Sequence, residues 1–438
     1  MLNSFLLIVW VTYFMVRFLY SLLLYCLFPL VIFYLMARSL KNKDYRKRWN
    51  ERFGIKQLQQ TDLLIHSVSM GETLAALPLI RQLQQAYPAL SITVTTTSPT
   101  GSTEVLKGLG DTVQHCYLPF DFSLCIQRFL KQIKPKYLII METELWPNLM
   151  HFAFKMDTKL MLANARLSEK SVKQYRKHIK LTLPMLNKLA VIATQSDVVG
   201  QRFIELGMDH LKVQSCGSLK FDLKISSKQQ QSASDLRQRL KEEDRFIWVA
   251  GSVHPGEFED ILKAHQQVLM VQPDALLIIV PRHPEQFNTA ASVIKASQLT
   301  CVRRSTHVEV GNNIQVLLGD TMGELLSFYG AADQAFVGGT LIENGGHNPL
   351  EPAALGLPVL LGPHYWDFAE IADLLNEAGG LRFVDTAKSL SIALIDYLHK
   401  GDNYQQASVA ALKVVEQNKG ALVKHLSLIK LMMTSSSN

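Results

Sequence analysis

The sequence predicts an α/β protein: two doubly wound parallel-sheet halves, joined by a polar linker and preceded by an N-terminal membrane helix. Three observations predict it. A long uncharged run extends from Phe18 to Ala37. Past Thr61, short apolar runs alternate with amphipathic segments. That alternation stops over a polar stretch between Phe221 and Arg245 and then resumes.

Composition narrows the classes first. Of 438 residues, 48% are hydrophobic and 19% charged, which excludes a disordered or collagen-like chain and leaves material for two or three domains. Cys26, Cys116, Cys125, Cys216 and Cys301 are scattered with no CxxC pair, so neither a disulfide framework nor a thiolate zinc site is expected. A net charge of +7 suits an anionic partner.

The first element is the anchor. FLYSLLLYCLFPLVIFYLMA, Phe18 to Ala37, is long enough for one bilayer crossing, and Leu2 to Val16 ahead of it is also uncharged, with Arg17 between them. A cleaved signal peptide fits poorly, because no basic region precedes the run and no small-x-small site follows. Behind it come Arg38, Lys41, Lys43, Arg46, Lys47, Arg48, Arg52 and Lys56, a basic collar that places the downstream chain in the cytoplasm and against anionic headgroups. One tilted helix is the first expectation for the anchor; a hairpin or an in-plane helix is the alternative.

The apolar runs DLLIHSVS, SITVTTTS, TVQHCYLPF, KYLIIMETE, KLMLANAR and LAVIATQS read as buried strands, with helices such as Thr73–Tyr87 and Leu124–Ile133 between them. After the polar stretch FDLKISSKQQQSASDLRQRLKEEDR, the runs RFIWVAGS, ALLIIVPR, IQVLLGD, QAFVGGT and PVLLGP repeat the pattern. The expected division is therefore an anchor at 1–40, a first Rossmann-like half at 41–222, a linker at 223–245 and a second half at 246–438, its last helix packing back on the first.

Ligands in open α/β sheets sit beyond the carboxyl ends of the strands, so the residues there are the candidates. Glu72 opens a helix after the first strand. It either caps that helix or, aimed into a partly desolvated cleft, serves as a general base. Glu142 and Glu144 share a strand end and would lie on one face if the strand continued. Lys220 and Arg282 each follow an apolar strand where a phosphate could be met. His66 and His347 are possible orienting groups. The runs holding Met322, Gly323 and Glu324, and Asn348, Pro349, Leu350 and Glu351, are helix starts whose backbone N–H groups suit a phosphate, and Glu351 could accept from ribose hydroxyls. There is no GxxxxGK[ST], HExxH, GxGxxG or DxD-type pair, so no metal or other cofactor is expected. The aromatics do not interleave with basic residues as in nucleic-acid modules.

Seven segments in order carry a resemblance: HSVSMGETLAALPLI (66–80), METELWPNL (141–149), NARLSEKS (164–171), GSLKFD (217–222), PRHPEQF (281–287), GDTMGEL (319–325) and FVGGTLIENGGHNPLEPAALGLPVLLGPH (336–364). Together they resemble the Kdo (3-deoxy-D-manno-octulosonic acid) transferases of lipopolysaccharide assembly, from the basic collar to about His364. The resemblance implies a GT-B glycosyltransferase of the inverting type, with CMP-Kdo as donor and lipid IV(A) as acceptor at the cytoplasmic face of the inner membrane. It implies Glu72 as the base, Glu142 and Lys220 as transition-state stabilisers, and CMP contacts from Pro281, Arg282, Met322, Gly323, Glu324, Asn348, Pro349, Leu350 and Glu351. The alternatives are a membrane-associated GT-B enzyme using a UDP-sugar and a non-catalytic anchored module that binds nucleotide or lipid. An epimerase of the same fold would not explain the anchor.

Overall fold

A computed structural model describes residues 2–41, 43–240 and 245–434. They form two units, one of Met1–Asp222 with Lys419–Asn438, the other of Leu223–Asn418.

The first unit is built on a seven-stranded parallel sheet in the order β3-β2-β1-β4-β5-β6-β7. Its strands are β1 (Leu63–His66), β2 (Ile92–Thr96), β3 (Gln114–Tyr117), β4 (Tyr137–Met141), β5 (Lys159–Ala165), β6 (Leu189–Thr194) and β7 (Val213–Ser215). β1, β2 and β4 are buried along their whole length; β1 and β4 read as nearly continuous apolar runs, while β2 alternates Ile92 and Val94 with buried threonines. One face packs under the Met70–Ala86 helix, whose Leu79, Ile80 and Leu83 are fully buried; the other face packs on Phe129, Leu130 and Leu149. The Ala421–Thr434 helix joins the first of these cores through Leu422, Ile429 and Met432.

The N-terminal segment differs from the single membrane helix expected. Among the described residues no single helix is long and apolar enough to cross a membrane; Tyr13–Cys26 and Phe28–Leu40 pass such a test together, bent by 51°. The break falls at Leu27, beside Pro29, which has no N–H to give and whose ring crowds the preceding turn. Arg17, the one charge in the run, is buried rather than lipid-facing: its Nη1 donates to Asn148 Oδ1 at 3.0 Å. Tyr20 donates to Asp121 at 3.0 Å and Ser21 to Asn148 at 3.1 Å, so a polar seam fixes this helix to the first unit. Phe14, Met15, Phe18, Leu19, Leu22 and Leu23 remain exposed.

The basic collar is likewise not all outward. Arg52 is buried and donates to the Thr97 carbonyl, while Arg48 and Lys56 both pair with the buried Glu51. Arg48 and Arg52 lie over the Tyr117 ring at 4.4 and 4.2 Å. A carboxylate and an aromatic face inside the unit thus draw these cations inward from solvent.

The second unit repeats the architecture in the order β10-β11-β9-β8-β12-β13-β14, again parallel throughout. Its strands are β8 (Ile247–Val253), β9 (Leu276–Pro281), β10 (Cys301–Arg303), β11 (Val316–Leu318), β12 (Gln334–Val337), β13 (Val359–Leu361) and β14 (Leu381–Phe383). The expected polar linker is largely part of this unit. Ser227–Leu240 is a helix that buries Ala233, Leu236 and Leu240, a stripe at helical spacing hidden among polar residues. Arg237 ties it down by donating to the Ala331 carbonyl at 2.9 Å and pairing with Asp333. Arg245 is buried too and donates to the Asp274 and Ile314 carbonyls. Residues 241–244 of that stretch lie outside the described residues.

Candidate active site

In the first unit the winding reverses between β1 and its neighbour β4, so the loops after these two strands diverge and leave a crevice at their carboxyl ends. Glu72 enters from the β1 side and Glu142 and Glu144 from the β4 side.

Glu72 stands in the first turn of the Met70–Ala86 helix. Ser69 caps that helix, its Oγ accepting from the Glu72 N–H at 3.2 Å. The Glu72 carboxylate closes the reciprocal half: Oε1 accepts from Ser69 Oγ at 2.7 Å and Ser69 N–H at 3.2 Å, and Oε2 from Val68 N–H at 2.8 Å. The capping role is therefore realised. The carboxylate is also only 7% exposed. Burial pushes its pKa up against the pull of the Val68 and Ser69 donors, and the charge of Glu142 pushes the same way.

Glu142 and Glu144 do not share a strand face, because β4 stops at Met141 and Glu142 turns into the left-handed region at φ 52°. Its N–H still bonds the Ala163 carbonyl at 2.9 Å. A non-glycine residue held there is strained, and such strain persists only where neighbours enforce it. Lys220 Nζ lies 3.6 Å from Glu142 Oε1, with both side chains mostly buried. Burial, with the charges of Glu72 and Glu142, pushes Glu144 up to about 7. Glu144 therefore holds its proton to a higher pH than an exposed carboxyl does.

Two supports of this crevice were not singled out by the sequence reading. Asn164, at φ 53°, accepts from the Leu219 N–H through Oδ1 at 3.0 Å, one residue before Lys220. Its own N–H is received by His425 Nε2 at 2.9 Å. Asn164 lies within the quoted run NARLSEKS, but His425 sits in a stretch where no motif draws attention. His66 is fully buried, bonded to Thr95 Oγ1 at 3.0 Å, and burial lowers its pKa to about 4. Its place is inside the sheet.

In the second unit the reversal falls between β8 and β12. A bulge at Ser252, φ 56°, lies one residue before the end of β8. Glu257, which the sequence reading passed over, staples the two strand ends: its buried carboxylate accepts from the N–H groups of His254, Gly339, Thr340 and Leu341 at 2.8–3.0 Å. Gly339 is at φ 71°, and a Cβ there would meet the His347 ring at 3.1 Å. That close approach lets His347 stack on His254, with ring centroids 5.1 Å apart and an Nε2–Nε2 distance of 2.8 Å. Burial, together with the Arg282 charge, lowers the His347 pKa to about 3.

Arg282 follows β9, its N–H bonded to the Val253 carbonyl at 2.9 Å, and its charge acts on His254, His347 and Glu351. Burial pushes Glu351 up to about 7 while Arg282 and Asn348 pull it down. Arg282, His347, Asn348 and Glu351 are thus brought together. Pro281 ends β9, Pro349 precedes the four-residue Leu350–Ala353 helix, and Leu350 is fully buried, its N–H taken by Asn348 Oδ1 at 3.1 Å. Met322 is 59% exposed and Gly323 sits at φ 83° on the turn before the six-residue Leu325–Gly330 helix. Glu324 turns to Arg304 and Thr321; burial works against its charge, but those donors outweigh it and hold the carboxyl below its usual range. Both helix starts belong to helices of one or two turns, so the expected phosphate-binding dipoles are weaker than full helices supply, and Arg282 is the principal cation of the group. Among the described residues, no cluster of three or more His, Cys, Asp or Glu is placed to hold a metal ion.

A family model described as 3-Deoxy-D-manno-octulosonic-acid transferase (kdotransferase) matches residues 47–223. The 3-deoxy-D-manno-octulosonic acid transferase of Haemophilus influenzae is 42% identical over 94% of this chain and 98% of its own length. The Bordetella pertussis protein of the same name is 33% identical over 84% and 86%. Among solved structures, UDP-GlcNAc 2-epimerase from Neisseria meningitidis, bound to UDP-GlcNAc, superposes with a TM-score of 0.56 at 13% identity, covering 84% of this chain and 99% of that one. MurG of Acinetobacter baumannii gives 0.53 at 12%, covering 84% and 98%. These structural likenesses show the fold, an α/β fold of the GT-B kind.

Proposed function

This chain belongs to the 3-deoxy-D-manno-octulosonic acid (Kdo) transferase family, and from that membership we propose that it is an inverting glycosyltransferase of lipopolysaccharide biosynthesis, moving Kdo from CMP-Kdo to lipid IV(A). Glu72 is the general base on this reading. It removes the proton from the acceptor hydroxyl as that oxygen attacks the anomeric carbon of Kdo from the face opposite CMP. The bond to the phosphate oxygen breaks in the same displacement, which inverts the anomeric centre. Glu142 and Lys220 stabilise the charge that develops around the sugar, and Arg282 meets the departing phosphate. Glu351 and the 348–350 turn hold the nucleoside.

The observation that carries the reading is the crevice between β1 and β4, where Glu72, Glu142, Glu144 and Lys220 converge and Glu72 is buried with its pKa pushed up. A desolvated carboxylate with a raised pKa is a stronger base once ionised than an exposed one. The role of the bent apolar pair Tyr13–Cys26 and Phe28–Leu40 follows from the acceptor, a lipid that cannot leave the bilayer. The pair holds the chain at the inner membrane from its cytoplasmic side, and the outward cations of the collar face anionic lipid headgroups.

The test supplies CMP-Kdo, made in situ, and lipid IV(A) to the protein with and without EDTA and reads the product by mass spectrometry. A gain of one or more Kdo units, unchanged by EDTA, is the expected result and counts the additions. No gain with intact donor and dispersed acceptor overturns this donor–acceptor pair.

A further inference from the structure

The Ala421–Thr434 helix packs against the Met70–Ala86 helix that bears Glu72, against β5 and β6, and against the 219–221 turn that bears Lys220. It reaches the candidate crevice through the fully buried His425. His425 Nδ1 lies 2.7 Å from the Ala421 carbonyl, an atom that can only accept, so Nδ1 carries the proton and Nε2 is a bare acceptor. That acceptor receives the Asn164 N–H at 2.9 Å.

The bond matters because of where Asn164 stands. At φ 53°, inside a strand whose register with β6 slips between Leu162 and Ala165, its N–H is turned out of the ladder and would otherwise be buried without a partner. Held this way, its Oδ1 fixes Leu219 at 3.0 Å, and the Gln195 side-chain amide donates to its carbonyl at 2.9 Å. The preceding residue, Ala163, receives the strained Glu142 N–H. Asn164 therefore joins the backbone of Glu142 to the backbone next to Lys220, whose side chains are 3.6 Å apart. The helix is registered independently by Asp222, which accepts from the N–H groups of Gly420 at 2.7 Å and Leu422 at 2.6 Å.

We propose that His425 is a positioning residue for the Glu142–Lys220 pair, acting through Asn164. This rests on the reading of that pair as stabilising the transition state. His425 touches no substrate. It supplies the one acceptor that keeps Asn164 left-handed, and through it the separation of carboxylate and ammonium. Displacement of a reacting constellation by an ångström costs rate far more than it costs binding of a donor held elsewhere.

The experiment measures kcat and the KM for CMP-Kdo, together with Tm, in the full chain. His425→Met keeps bulk and removes the acceptor; His425→Gln returns an oxygen at the same reach from the backbone. Ile429→Ala, in the apolar core of the same helix, controls for loss of stability alone. The expected result is a fall in kcat of roughly tenfold or more for His425→Met with little change in KM, recovery of most of it in His425→Gln, and near-normal kcat in Ile429→Ala at a comparable fall in Tm. Full kcat in His425→Met, or an equal loss in Ile429→Ala, overturns the proposal. Glu142→Gln and Lys220→Ala separate this failure from the larger one: if they are inactive and His425→Met is normal, only the positioning role falls. If both retain full kcat, the reading of the pair falls first. Should His425→Met not fold, Asn164→Gly tolerates the same φ and keeps the N–H but drops the Leu219 bond; unchanged kcat there overturns the proposal as well.

Discussion

A carboxylate that accepts three hydrogen bonds and still titrates above its usual range is losing more to burial than those bonds return, and Glu72 is in that position. The Glu72→Gln variant should lose on the order of 10²–10⁴ in turnover while CMP binding, read by calorimetry, survives; normal turnover removes Glu72 as base. In the wild type, turnover should fall as pH is lowered through that raised pKa. Glu144 makes a separate claim. Its folded pKa of about 7 exceeds the ordinary Glu value of 4.5, so the folded state holds a proton that the unfolded state releases between those limits. The stability it contributes is full below the lower value and is lost as pH rises through the upper. Glu144→Gln should match the wild type near pH 5 and melt higher than it near pH 8, on the order of 2–4 °C for each kcal/mol gained. A constant offset across that range removes the titration from Glu144. Arg282→Ala should raise the Kd for CMP on the order of tenfold or more, since it removes the principal cation among His347, Asn348 and Glu351.

Among the elements, the Ala421–Thr434 helix depends on a cap supplied from two hundred residues upstream. Asp222→Ala leaves two first-turn N–H groups without their carboxylate and should cost about 1–2 kcal/mol, read as a lower urea midpoint with unchanged m-value. This contact, like His425, is illegible in a linear reading: Asp222 closes the quoted run GSLKFD, but nothing in that run points to a helix so far downstream. The central strands are legible for the opposite reason: β4 and β9 are buried on both faces and carry unbroken apolar runs, and β1 and β8 do so up to His66 and Gly251. β7, β10 and β14, three residues each at sheet edges, expose part of their length and leave no such signal. The Ser227–Leu240 helix was read as linker because its buried stripe is narrow against a polar remainder. The site shows the same division. Glu72, Glu142, Lys220 and Arg282 stand at strand ends where chemistry concentrates. Glu257 and Asn164 act on backbone N–H groups that only the fold assembles.

At the scale of the molecule, the first unit is discontinuous: its first segment ends at Asp222, and the helix that closes one of its faces begins after Lys419. A chain stopped after Asn418 should expose the apolar surface of Ala75, Leu79 and their neighbours and aggregate, a result that dye binding and sedimentation would read. The second unit is continuous in sequence. On the ribosome, at about 5–20 residues per second, the first unit must therefore wait roughly 10–40 s for its closing helix, while the second unit is synthesised whole. Folding of this protein is thus ordered in time against the order of its sequence: the later unit can be finished first, and the candidate crevice of the earlier one is assembled only when residues 419–434 arrive.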